Sequence, residues 1–429
     1  MRKRFVVVLV ALAALATPSL ASADVVTDWN KTMVDALLVA HTPPQPGTRV
    51  GAIVQTSVFD AVNGVKRRYT QFHAEVIGAD APRGASARAA AVGAAYTALV
   101  ALFPTQKATF DAQLAATLPK FSDDEDDGGG QAVARGFAWG GTVANAILAW
   151  RSNDGFDAVL PPYVVGALPA WQPTPPAFAP PVFRQFATMT PWAMASPSQF
   201  LPPPPPALTS ARYTADFNEV KAIGNSATAP PENVATARFW NGQFDTVATM
   251  WNRAADALVT DHHANLVDNA RRFALLNVSM ADAVIAVWNA KNTYNAWRPI
   301  TAIQHADVDG NPATSTDPSW TPVLVTPAHQ EYPSGHSGVS SAAATQLASF
   351  FGNDTAFTMT SDGLPPNPST ARTYASFSDA IAEVALARIA AGIHFRYACE
   401  AAVQMGAGVA NYASATQMLR QHGAEGDDD

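Results

Sequence analysis

Apolar residues, mostly alanine, valine and leucine, recur at helical spacing along most of the chain. Five segments, 26–40, 49–65, 85–103, 108–118 and 131–150, each predict an amphipathic or buried helix, and their short connections predict a bundle. The pattern stops at 160–207, where proline and aromatic residues dominate and the run Pro202-Pro203-Pro204-Pro205-Pro206 closes the stretch. Proline at this density excludes regular helix and sheet, so the stretch predicts an extended crossover on the surface. Helical spacing resumes at 210–223, 233–240, 245–261 and 262–290, and again at 338–352, 376–391 and 395–421. The expected fold is all-α: a helical bundle over 24–159, the crossover over 160–207, and a second helical domain over 208–429 that holds the active site. The polar stretch 302–327, with Asp307-Val308-Asp309-Gly310-Asn311-Pro312, predicts a long turn-rich loop beside the site.

The start of the chain is patterned differently. Arg2, Lys3 and Arg4 precede an unbroken apolar run over 5–16, and Ala21-Ser22-Ala23 forms a small-residue cleavage site before Asp24. This predicts an export signal over 1–23 and a mature chain beginning near Asp24, outside the cytoplasm. No later segment is expected to be long and apolar enough to span a membrane. Losing the leader's three basic residues would move the net charge from -8 to -11, which argues against nucleic acid as a partner. Cys399 is the only cysteine, so an intrachain disulfide is excluded.

Acidity also means that any anion site must gather its few basic groups locally. Three segments do so. Lys291 and Arg298 stand seven apart in Lys291-Asn292-Thr293-Tyr294-Asn295-Ala296-Trp297-Arg298-Pro299, with the helix expected to end near Tyr294 because Pro299 biases Arg298 out of helical geometry. Ser334-Gly335-His336 opens a small-residue helix, where free backbone N–H groups and the helix dipole favour an oxyanion; the same residues also read as an ordinary cap. Arg388 and His394 stand six apart, an offset that keeps them from meeting on a regular helix unless Gly392 breaks it, and they read equally as a satisfied helix arginine and a core histidine. His262-His263 and the run Asp123-Asp124-Glu125-Asp126-Asp127 read as capping or solvated residues and not as metal ligands, and Asp427-Asp428-Asp429 as a disordered tail.

Taken in order, Lys-x6-Arg-Pro, Pro-Ser-Gly-His and Arg-x5-His resemble the three-part signature of the vanadium-dependent haloperoxidases and the type 2 phosphatidic acid phosphatase superfamily, which includes bacterial acid phosphatases. The resemblance implies that Lys291, Arg298 and Arg388 hold the oxygens of vanadate or phosphate, assisted by Ser334 and the Gly335 N–H. It implies that His336 is the acid-base group and that His394 is either the one protein ligand to vanadium or the nucleophile toward phosphate. His329 stands where bromide-using members tend to carry histidine, and Trp288 where fungal chloroperoxidases line the halide side with tryptophan. The implied activity is halide oxidation by hydrogen peroxide, with bromide favoured and Lys291 polarising the peroxide. The alternatives are hydrolysis of a phosphate ester through a phosphohistidine, and a helical protein that binds an oxyanion without turnover. Two positions depart from the pattern: Ala387 replaces a serine, and Ala398 replaces the aspartate that orients the phosphatase histidine. Glu400 lies two residues too far along a helix to stand in, so a backbone carbonyl is the expected partner of His394.

Overall fold

The computed structural model describes residues 24–73, 78–122, 128–262, 264–363 and 370–421. The export signal over 1–23, the acidic run Asp123 to Asp127, His263 and the acidic tail Asp427 to Asp429 lie outside the described residues.

The fold is predominantly helical. In chain order the first half contributes α1 (Val25–Val39), α2 (Pro44–Lys66), α3 (Ala87–Leu102), α4 (Lys107–Thr117), α5 (Pro119–Ser122) and α6 (Gly129–Arg151). After the crossover come α7 (Ala211–Ile223), α8 (Pro231–Phe239), α9 (Val247–Asp261), α10 (Leu266–Tyr294), α11 (Pro299–Gln304), α12 (Gly335–Phe351), α13 (Phe377–Ala390) and α14 (Arg396–Thr416). A two-stranded antiparallel hairpin, β1 (Phe357–Thr360) with β2 (Ala371–Tyr374), pairs Phe357 with Tyr374 and is the one sheet among the described residues. The predicted loop over 302–327 carries the last turn of α11 and a 3-10 turn at Ala306–Val308, and is otherwise irregular.

Helix α10 is the axis of the molecule. It packs against α2 on one side and against α12 and α14 on the other, and the side chains from Val267 to Ala290 that face these neighbours are buried in one continuous apolar core shared by both halves. This corrects one expectation, because α10 is long and apolar enough to span a bilayer; 94% of its apolar window is buried inside the protein, as in the central helix of a globular core. A chain of buried amides joins the halves: Gln55 donates to Asn30, Asn30 to the Asn252 carbonyl, and Asn252 exchanges hydrogen bonds with Asn277 on α10. On the other side of α10, α12 and α14 approach so closely that a Cβ at Gly406 would lie 2.1 Å from the Gly338 carbonyl oxygen, so only glycine fits there.

The proline-rich crossover is irregular apart from a 3-10 turn at Arg184–Thr188. It is fastened to α10 by Asp282, a buried carboxylate that accepts from the backbone N–H groups of Trp192, Ala193 and Met194 at 2.7–2.9 Å. Tyr294 and Tyr332 donate their hydroxyls to the Pro202 and Pro203 carbonyls, which ties the polyproline end of the crossover to the two segments that carry the site.

Candidate active site

Each of the three basic segments sits at a helix end, and that is why they converge. Helix α10 stops at Tyr294, five residues before Pro299, and Asn295 turns left-handed at φ 47°. Arg298 is then the N-cap of α11, with Pro299 as the first helical residue. Ser334 is the N-cap of α12 and its hydroxyl accepts from the Ser337 N–H. Helix α13 ends at Ala390, and Gly392 at φ 76° makes the break that returns His394 to Arg388. Arg388, His394, His336, Gly335, His329 and Trp288 line one cavity of about 240 Å³. Lys291, Arg298 and Ser334 are buried just behind its wall.

The polar contacts there follow a clear order. Arg298 gives its N–H groups to the carbonyls of His329, Ile393 and Pro327, to His329 Nδ1 at 2.9 Å and to His394 Nε2 at 3.1 Å. Arginine only donates, so His394 Nε2 is the unprotonated nitrogen and Nδ1 carries the proton. That proton points to Glu331 Oε1 at 3.0 Å, an oxygen that also accepts from the Phe395 N–H. Glu331 is therefore the group that orients His394. The expectation of a backbone carbonyl is corrected, and Glu400 is engaged elsewhere, with Arg212 at 2.8 Å. The carboxylate missing at Ala398 is supplied from the residue before Tyr332, on a different segment. Lys291 spends two of its three N–H groups on the Gln330 and Glu331 carbonyls, at 2.6 and 3.0 Å.

Arg388 is the exception. It is 1% exposed, and its Nε and Nη1 have no hydrogen-bond partner among the described residues. Burial brings it down to about 10 and no carboxylate opposes that. Burial also lowers Arg298 to about 9 and holds Lys291 well below the usual lysine range, with Arg298 beside it pushing the same way. Glu331 is pushed up to about 7 by burial against the pull of Lys291. His329, His336 and His394 are all held well below 6.5, by burial first and then by the neighbouring cations. Three cations face one carboxylate, so the site carries an excess of buried positive charge that an oxyanion would neutralise. The unpartnered guanidinium nitrogens of Arg388, the remaining Lys291 N–H, the start of α12 and the free lone pair of His394 Nε2 together fit a tetrahedral oxyanion such as vanadate or phosphate.

Residues 271–422 match the family described as VCPO second helical-bundle domain. The chain has the vanadium haloperoxidase fold. It superposes on the crystal structure of a bacterial vanadium-dependent iodoperoxidase with a TM-score of 0.79 at 24% identity, covering 95% of this chain and 99% of that one. It superposes on a holo-type bacterial vanadium-dependent chloroperoxidase with a TM-score of 0.69 at 18% identity, covering 88% and 92%. In sequence it is 24% identical over 202 residues to vanadium chloroperoxidase from Curvularia inaequalis, a stretch that is 39% of this chain and 31% of that protein's length. Within this haloperoxidase fold, Trp288 and His329 stand side by side, ring centroids 5.1 Å apart, and Trp288 Nε1 donates to the Val182 carbonyl of the crossover. His262 is spent on the Leu258 carbonyl at the end of α9, and the described residues contain no cluster of three or more His, Cys, Asp or Glu able to hold a metal ion. Cys399 is buried beside this site, its thiol pushed up to about 12 by burial, which keeps it protonated.

Sequence reasoning missed four contributors. Glu331 opens the Tyr-Pro-Ser-Gly-His stretch but carries no spacing signal that links it to His394. Gln45 and Thr48 from α2, and Asn241 after α8, line the cavity from segments far away in the chain.

Proposed function

We propose that this protein is an exported, vanadate-dependent haloperoxidase that oxidises halide with hydrogen peroxide. The observation that carries the reading is Arg388, a buried cation with unpartnered nitrogens, across a shared cavity from a histidine whose Nε2 lone pair is set by Glu331. His394 would hold vanadate through Nε2, with Arg388, Lys291, Arg298 and the α12 N-terminus on its oxygens. Bound there, vanadate would supply the activation of peroxide toward halide. Lys291 would polarise the peroxide, and a group held at Nε2 would take over the N–H that Arg298 now gives to that atom. His336, partly buried and neutral, would accept and return the proton that peroxide must lose and hypohalous acid must gain. His329 beside Trp288 supports bromide as the preferred halide. Asp24 supports cleavage after Ala23, because its side chain caps α1 and would remain with the mature chain.

The test is bromide oxidation by the purified chain after loading with orthovanadate, with iodide and chloride run in parallel. Rates no higher than background for every halide would defeat the reading, and a clear preference for iodide or chloride would defeat the bromide assignment. N-terminal sequencing of the secreted chain, expected to start at Asp24, tests the export signal.

One observation supports phosphate ester hydrolysis as a second reading. The Glu331–His394 pair restores the carboxylate–histidine dyad that Ala398 had removed, so His394 Nε2 could attack phosphorus while His336 protonates the leaving alcohol. If His394→Ala keeps full phosphatase activity in the vanadate-free chain, this reading is wrong.

A further inference from the structure

The two histidines at the cavity are held by different means. His394 has a carboxylate, Glu331, on its Nδ1. His336 is met by main chain instead: the carbonyl of Trp240, the C-cap of α8, accepts from its ring. The last carbonyls of a helix lack partners within it, and that end of the helix dipole favours a cation. The contact therefore stabilises the protonated ring, whereas burial first and then Arg388, Lys291 and Arg298 keep it neutral. Because one nitrogen of the neutral ring donates to Trp240, the other is left as the acceptor. His336 lines both the inner cavity and an outer chamber of about 210 Å³, so the ring stands where the two meet.

Trp240 is pinned from both sides by the two residues that follow β1. The Ser361 hydroxyl donates to the Phe239 carbonyl at 2.6 Å and accepts from the Gly363 N–H at 3.0 Å. Asp362 spreads its carboxylate over the backbone N–H groups of Gln243, Phe244 and Asp245 at 2.7–3.3 Å. Its own N–H returns to Asp245 Oδ2 at 2.9 Å, an oxygen that Arg253 also holds at 2.6 Å. These bonds set the course of residues 241–246, which wall the outer chamber. The indole N–H of Trp240 donates to Glu383 on α13 at 2.9 Å, which fixes the residue by its side chain as well. Asp362 is exposed, so replacing it disturbs this segment without opening the core.

We propose that Asp362 and Ser361 are positioning residues for His336: by pinning the main chain on either side of Trp240 they hold the carbonyl that selects the tautomer of that ring. The selected tautomer leaves the second ring nitrogen free for the proton of the reaction. Neither residue lines the inner cavity, so both act through Trp240 and His336 and not on a ligand. The catalytic consequence rests on the haloperoxidase reading, in which His336 takes a proton from peroxide and returns it to hypohalous acid; the positioning itself does not. The device is the main-chain counterpart of Glu331, with a hairpin end supplying for one histidine what a carboxylate supplies for the other.

Histidine nitrogen NMR of the full, vanadate-free chain is the test, with the His336 signals assigned by their loss in His336→Gln. Wild type should show one fixed neutral tautomer of His336. Asp362→Ala, and the milder Ser361→Ala, should move its two nitrogen shifts toward the average of both tautomers. In the vanadate-loaded chain Asp362→Ala should lower kcat for bromide about tenfold, part of what general acid–base catalysis contributes, with the bromide KM and the vanadate affinity unchanged. Added to His336→Ala it should cost nothing further, because its effect passes through that ring. An averaged tautomer in wild type would overturn the proposal, and that measurement needs no variant to fold. A fixed tautomer retained in the folded variants would overturn it too, as would a loss of kcat that recurs in full on the His336→Ala background. Bromide turnover separates the two claims. Turnover by wild type with a tautomer indifferent to both substitutions defeats the positioning alone; a tautomer that responds in a chain without bromide turnover defeats the haloperoxidase reading and leaves the positioning.

Discussion

Arg151 and Arg388 are both essentially unexposed, and the molecule treats them in opposite ways. Arg151, at the end of α6, has Asp154 at 2.9 Å, the carbonyls of Thr190 and Pro191 on its remaining N–H groups, and Trp150 and Trp192 against its plane. Arg49 shares the same carboxylate at 2.8 Å. Each of its three nitrogens is met from within, so that arginine can only be holding the crossover to the first bundle. Arg388 has two nitrogens that nothing among the described residues meets, in a pocket with two further cations and one carboxylate. Burying a charge without a partner is costly, and the arrangement makes sense where the partner is a ligand. The contrast separates a structural cation from a binding one without reference to any relative.

The largest expected effects come from exchanging the two. Arg151→Gln should destabilise the fold by about 3–5 kcal/mol, because it leaves Asp154 with Arg49 alone, while the folded fraction binds orthovanadate as wild type does. Arg388→Gln should do the reverse: about a hundredfold loss of vanadate or phosphate affinity by calorimetry, with melting unchanged or raised. Similar losses of stability in both variants would erase the distinction.

The same contrast extends to carboxylates. Asp154 lies between two arginines, whereas burial pushes Asp256 on α9 up to about 7, against a weaker pull from Lys31, and its Oδ1 has no partner among the described residues. The folded chain thus holds that proton more tightly than the unfolded chain, whose aspartate titrates near ~4. The stability this proton contributes is complete below about pH 4 and is lost as pH rises through about 7. Denaturant melts at pH 4 and pH 8 should show wild type losing on the order of 3–4 kcal/mol that Asp256→Asn does not lose. Parallel pH profiles for the two proteins would contradict this.

The smallest effect expected concerns Glu331. Glu331→Gln keeps an acceptor for His394 Nδ1 but removes the charge, so bromide turnover should fall about tenfold, with the Nδ1-protonated tautomer still visible by histidine nitrogen NMR. Glu331→Ala should lose the tautomer as well. An unchanged rate in both would mean that the carboxylate does not act on His394.

How much of this was legible in the sequence depends on the distance over which the signal acts. The helices were legible because the 3.6-residue period is local, and the breaks at Tyr294 and Gly392 were legible because proline and glycine act on their neighbours. The hairpin of Phe357–Thr360 with Ala371–Tyr374 was not, since two four-residue strands carry too few alternations to show a period. The basic residues of the site could be picked out because an acidic, alanine-rich half spends so few. The partner of His394 could not: Glu331 is 63 residues away, and only the packing of α12 against α14 brings them together. Gln45 was invisible for the same reason, since it reaches the cavity through the packing of α2 on α10.

The most direct measurement is the rate of bromide oxidation by hydrogen peroxide as orthovanadate is titrated into the vanadate-free chain. The anion seat described here predicts a rate that climbs and saturates at one vanadate per chain, is suppressed by competing phosphate, and is absent in His394→Ala. A rate that stays at background at every vanadate concentration, or one that is unchanged in His394→Ala, would contradict it.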